Sequence, residues 1–128
     1  RSMIYKITVP NVPVPYPLKD LDLANSIAVV GVEEGWILKY LEETYKLWFI
    51  DHNEAGSKDN LNKSLLKLNL NPEEVFAKAK SSTTITKYNN NTAKAKLNNV
   101  FGSPTFIVGD EIFWGDDRLE DAIQWAKQ

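Results

Sequence analysis

The sequence predicts a mostly α-helical chain that closes with one β-hairpin and a final helix. Three observations carry that expectation. From about residue 20 to residue 98, apolar side chains recur at helical spacing, punctuated by Gly35, Gly56 and Asn71-Pro72. After Val100 two β-rich tetrads, Thr105-Phe106-Ile107-Val108 and Glu111-Ile112-Phe113-Trp114, stand either side of Gly109-Asp110. Helical spacing then returns with Leu119, Ala122, Ile123 and Ala126.

Each element has its own local reason. Residues 10–17 read Pro-Asn-Val-Pro-Val-Pro-Tyr-Pro, and prolines so dense remove amide donors and fix φ. The segment is therefore expected to be extended, a connector into the first helix rather than a ligand for an aromatic groove. Asp20 or Asp22 can cap a helix reaching about Glu34, where Gly35 ends it. Ala24, Ala28 and Gly31 give that helix a stripe of small residues. A second helix, about Trp36 to Ile50, carries Ile37, Tyr40, Leu41, Thr44, Leu47 and Trp48, a stripe wide enough to be buried on more than one side. A third, about Asp59 to Leu68, aligns Leu61, Leu65 and Leu68. Asn71-Pro72-Glu73-Glu74 then sets a helix start: Asn71 caps, Pro72 takes the first position, and Glu74 can bond back to the cap amide. That fourth helix, to about Lys80, turns Val75, Phe76 and Ala79 inward. A fifth, about Thr83 to Asn98, has a thin stripe of Ile85, Tyr88, Thr92, Ala95 and Leu97. Asn89-Asn90-Asn91 is poor helix-forming sequence, so a kink or weak point is expected there. The last helix starts at Gly115-Asp116-Asp117, where Asp117 and Glu120 have capping-box spacing.

Composition excludes several function classes. With 128 residues the chain is of single-domain size, and 43% apolar with 25% charged residues argues against disorder. A net charge of −2 gives no basic footprint for nucleic acid and no polybasic surface for a membrane. No apolar run approaches the roughly 20 residues of a membrane span. A cytoplasmic location is expected. The absence of cysteine removes disulfides, thiolate metal sites, cysteine nucleophiles and dithiol redox chemistry from this chain. His52, the single histidine, reads as a solvated loop residue, and no metal site is expected. Met3, preceded by Arg1-Ser2, reads as an initiator behind an expression scar.

The hairpin poses a physical problem. Two strands alone are marginal in water, and their outer edges leave amides and carbonyls unpaired. Ile4 to Val9 is the one other β-rich segment. Either it joins the sheet or a second chain does, so a homodimer is expected, through the hairpin sheet or through helix faces.

Two short segments bear chemistry. In Val100-Phe101-Gly102-Ser103-Pro104-Thr105-Phe106 a proline stands at the mouth of a strand. A cis bond there would present the backbone of Ser103 to a ligand. From the residues alone, however, a trans bond is expected, because cis makes up only about 5% of X-Pro bonds. In Phe113-Trp114-Gly115-Asp116-Asp117-Arg118-Leu119 a helix start could hold a carboxylate while an aspartate takes an amine. From the residues alone, an N-cap with acidic first-turn residues is the expected reading.

The run Gly-Ser-Pro-Thr-Phe-Ile-Val-Gly-Asp-Glu-Ile-Phe-Trp-Gly-Asp-Asp-Arg-Leu, residues 102–119, resembles the C-terminal signature of the 2-hydroxychromene-2-carboxylate isomerase family. That family is close to the kappa-class glutathione transferases, in the DsbA-like branch of the thioredoxin superfamily. Upstream, the proline-rich segment, the small-residue helix ending in Glu-Glu-Gly and the aromatic helix ending in Leu-Trp-Phe are similar to its all-helical insert. The resemblance implies an α/β thioredoxin-like fold of DsbA or kappa type with an all-helical insert. Residues 1–99 would be the insert domain, and 100–128 the C-terminal hairpin and helix of the thioredoxin-like domain. It further implies that the family's opening strand, helix and strand, with a catalytic serine in a Ser-Pro-Tyr type motif, have no counterpart here. No catalytic residue is therefore expected. The implied cofactor is glutathione. Pro104 would be a cis-proline, and the Ser103 backbone would pair with the cysteinyl part. Asp116, through its amide and the helix terminus, and Asp117, through its carboxylate, would hold the γ-glutamyl end, and Trp114 would wall the pocket. Complete relatives act on small aromatic electrophiles. This chain is expected to be an inactive portion of such an isomerase, or else a non-enzymatic remnant or dimeric interaction module.

Overall fold

A computed structural model describes residues 20–128. The proline-rich segment, the Ile4–Val9 candidate strand and the Arg1-Ser2-Met3 start lie outside the described residues. The remainder falls into two compact units, one ending at Tyr88 and one running from Asn89 to Gln128.

The first unit is helical: α1 (Leu21–Glu34), α2 (Ile37–Phe49), α3 (Lys58–Lys67), α4 (Pro72–Ala79) and the opening turns of α5 (Ser82–Leu97). Its core forms because each helix contributes one apolar stripe. Ile27 and Val30 of α1, Tyr40 of α2, Leu61 and Leu65 of α3, and Val75 and Ala79 of α4 are buried together. Each such aliphatic side chain contributes about 1.5–3 kcal/mol by leaving water. α1 packs on α2 and α4, and α3 packs on both α2 and α4. Gly31 permits the tight α1–α2 corner: a Cβ there would stand 2.8 Å from the Trp36 ring. Gly35, at φ 79°, takes the left-handed turn that ends α1. Trp36 meets Tyr40 edge-on, with ring centroids 5.9 Å apart. The Tyr40 hydroxyl donates to the Ala24 carbonyl at 3.2 Å, and burial pushes its pKa up to about 12.

Several local expectations change on contact with the structure. The Asp20 side chain makes no capping bond to α1. α3 starts one residue earlier than expected because Ser57 caps it, its hydroxyl accepting from the Asn60 amide at 3.2 Å. Asn71 caps α4 by accepting from the Glu73 amide at 3.0 Å, but Glu74 takes the Asn71 side-chain amide at 3.1 Å rather than the backbone N–H. On α2 the wide stripe is only partly covered: Tyr40, Thr44, Leu47 and Trp48 are buried, whereas Leu41 is exposed. α5 runs unbroken through Asn89-Asn90-Asn91. Its ladder of i→i−4 bonds outweighs a propensity penalty below about 1 kcal/mol per residue. Its stripe is less buried than expected, since Ile85 and Leu97 are exposed and the buried residue is Thr84.

The second unit contains the end of α5, β1 (Thr105–Val108), β2 (Glu111–Trp114), a 3₁₀ turn (Asp116–Arg118) and α6 (Leu119–Trp125). The strands pair antiparallel, with Thr105 opposite Trp114 and Val108 opposite Glu111. Gly109, at φ 62°, supplies the positive φ that a two-residue hairpin turn requires. Pleating places Phe106 and Phe113 on one face, where α6 packs and Trp125 comes within 6.4 Å of Phe113. Ile107 and Trp114 occupy the other face and are exposed. The sheet has two strands among the described residues. Ala122 is the buried residue of α6, while Ile123 is half exposed. Gly115 stands in the cap position of the 3₁₀ turn, which puts Asp117 inside that turn and not at a capping-box position.

Candidate functional site at the open end of the hairpin

The two chemistry-bearing segments meet at the open end of the hairpin. Beyond the last ladder pair the Gly115 amide donates to the Pro104 carbonyl at 3.0 Å. This bond holds the loop before β1 against the turn after β2. The preceding loop is closed by the Thr105 hydroxyl, which donates to the Gly102 carbonyl at 2.6 Å. The Ser103–Pro104 peptide bond is cis, as the resemblance implies, where the residues alone led to a trans bond.

Each predicted site residue has a definite place. Ser103 and Pro104 are exposed at the loop, and the Ser103 N–H and carbonyl have no hydrogen-bond partner among the described residues. Gly115 adopts φ 112°, a conformation that a side chain would oppose, and turns the chain from β2 into Asp116 and Asp117. Both aspartates are exposed. The Asp117 carboxylate folds back over Gly115, where a Cβ would stand 2.5 Å from Oδ1. The nearest cation in sequence, Arg118, is taken by Asp121 at 2.8 Å. The Trp114 indole lies over Gly102, so closely that Gly102 has no room for a Cβ. The loop and the turn thus bring Ser103, Pro104, Trp114, Asp116 and Asp117 to one end of one hairpin.

The donor set fits a peptide-like ligand. An exposed, unpaired N–H and carbonyl on one residue can pair with the main chain of an extended peptide as a short antiparallel ladder. A carboxylate without an ion-pair partner can receive an ammonium. No group of three or more metal-ligating side chains stands together among the described residues. His52 is exposed in a left-handed loop conformation, at φ 55°. No helix among the described residues is long and apolar enough to cross a membrane.

The sequence reading did not assign Phe101 to the site. Its ring lies 5.3 Å from Trp114, tilted by 55°, and it is 72% exposed. The signal was a Phe-Gly pair directly before Ser-Pro, where the glycine leaves space for an indole from the facing strand.

The model of the DSBA-like thioredoxin domain matches residues 6–124. The chain belongs to that family. The fold is therefore DsbA-like thioredoxin, here mostly helical, with a two-stranded antiparallel hairpin and a C-terminal helix. No curated protein matches the chain. Within a family whose name is tied to dithiol chemistry, this member has no cysteine.

Proposed function

We propose that this DsbA-like chain is a glutathione-binding protein of the 2-hydroxychromene-2-carboxylate isomerase and kappa-class transferase type. The observation that supports the reading is the Gly115–Pro104 bond, which sets the unpaired backbone of Ser103 beside Asp116 and Asp117. Ser103 pairs with the cysteinyl unit across the loop that contains Pro104. The Asp117 carboxylate holds the γ-glutamyl ammonium, the turn at Asp116 orients the adjoining carboxylate, and Trp114 walls the site. When bound, glutathione supplies a thiol that adds to an electrophilic carbon of a small aromatic substrate. The chain's own residues orient the tripeptide. No Ser-Pro-Tyr type motif occurs in the 128 residues, so the chain by itself binds and does not turn over substrate. It works in the cytoplasm as a homodimer, with residues 1–99 as the helical insert and 100–128 as part of the thioredoxin-like domain.

Titration calorimetry with reduced glutathione tests the binding. Dissociation constants on the order of millimolar or tighter are expected, weakened about tenfold in Asp117→Asn as one charge-assisted contact is lost. No heat of binding, or an unchanged constant in the variant, rejects the site. Isomerisation by the purified chain would overturn the claim that it binds without turnover, and a monomer by light scattering at micromolar concentration would overturn the dimer.

A second reading, a non-enzymatic interaction module, is favoured by the apolar side chains that α2 and its C-cap leave in solvent: Leu38 at 78% exposure, Ile50 at 64% and Tyr45 at 50%. Silence toward glutathione together with a stable dimer selects it.

A further inference from the structure

Thr105, half-buried at the first position of β1, donates its hydroxyl to the Gly102 carbonyl at 2.6 Å. That carbonyl belongs to the same peptide group as the Ser103 N–H. The Gly102–Ser103 peptide is trans, so it is planar and its C=O and N–H point to opposite sides. A Gly102 carbonyl bound to Thr105 therefore turns the Ser103 N–H away from Thr105, where no described group takes it. Two further contacts hold the same stretch. The indole of Trp114, the cross-strand partner of Thr105, lies against Gly102. The Gly115 amide holds the Pro104 carbonyl at 3.0 Å. Of the two hydrogen bonds, the one from Thr105 grips the peptide group that carries the Ser103 N–H.

We infer that Thr105 is a positioning residue of the site: its hydroxyl sets the direction of the Ser103 N–H, and through it the affinity for the cysteinyl unit. This rests on the glutathione reading above and adds to it a residue that acts through Ser103. Threonine suits both of its tasks. Its β-branch fits the start of a strand, and its hydroxyl can reach a carbonyl three residues back. Valine keeps the first property and loses the second. The Gly102 carbonyl is then left without that donor, and its peptide group is free to turn.

Calorimetric titration of reduced glutathione into the full 128-residue chain, paired with heteronuclear amide NMR, tests this. Binding moves the Ser103 amide signal downfield in the unaltered chain. Thr105→Val weakens binding roughly five- to tenfold and abolishes that movement, while the amides of Phe106 and Phe113, paired in the ladder, stay in place. Thr105→Ser, which keeps the hydroxyl, binds within about twofold of the unaltered chain. Four results overturn the inference and leave glutathione binding standing. They are binding that leaves the Ser103 amide unmoved in the unaltered chain, full affinity in Thr105→Val, an equal loss in Thr105→Ser, and displacement of the ladder amides in Thr105→Val, which marks a structural role. An unaltered chain that binds no glutathione overturns both readings.

Discussion

The helical unit and the hairpin unit are built on opposite terms. Ten of the eleven buried apolar side chains among the described residues belong to the unit ending at Tyr88, and Ala122 alone belongs to the other. Inside the helical unit Asn60, fully buried, donates to the Thr44 carbonyl at 3.1 Å and the Asn53 carbonyl at 2.8 Å, while its own Oδ1 and the Thr44 Oγ1 stay buried without a hydrogen-bond partner. Among the described residues, the hairpin unit leaves Phe101, Ile107, Trp114, Ile123 and Trp125 in solvent and the Ser103 backbone unpaired. The helical unit exposes apolar side chains too, Leu38 and Tyr45 among them, but it has a buried core of its own, which the hairpin unit lacks among the described residues. The chemistry-bearing residues of this chain stand where burial and hydrogen bonding are incomplete.

The largest expected effect contrasts the two units directly. Leu65→Ala, in the centre of the helical core, costs about 2–5 kcal/mol in urea unfolding through lost burial and a cavity. Ile123→Ala, at a side chain 46% exposed, stays within about 1 kcal/mol. Equal costs would break the comparison. Next, Asn60→Ala removes both buried hydrogen bonds and costs about 1–3 kcal/mol. A neutral result would mean that the α2–α3 polar contact is not part of what holds the helical unit. The smallest effect is electrostatic. Lys78 donates to Glu34 at 2.5 Å, and this bond, with a lesser one from Trp36, holds the Glu34 carboxyl below its ordinary value of 4.5. A lowered carboxylate pKa adds stability above the unfolded value, lost as pH falls through the lowered folded value. Lys78→Met is therefore slightly less stable than the unaltered chain at neutral pH, and the gap closes below pH 4.5. Both side chains are solvated, so the gap is small. A gap that widens in acid would contradict the pairing.

Much of the fold was legible because the signals are local. Helical periodicity, Asn71-Pro72, Gly35 and the Gly109-Asp110 turn each act within a few residues, and their elements appear where expected. Misplaced details involve competition between neighbours. Ser57, for which the sequence reading named no capping role, caps α3 and starts it at Lys58. The Asn89–Asn91 run stays helical because cooperativity along α5 outweighs weak propensity. The candidate site was legible as two motifs, but not as one place. That needed the Gly115–Pro104 bond, which joins residues eleven apart through strand pairing.

By itself, then, the sequence determined the element order, the lack of cysteine chemistry and the residue types available for binding, since these depend on local spacing and composition. The tertiary structure alone decided that Asn60 is buried between two carbonyls and that Phe101 and Trp114 meet over Gly102. Each of those depends on which atoms approach across the fold. Packing and strand register set that approach, and no short stretch of sequence contains it.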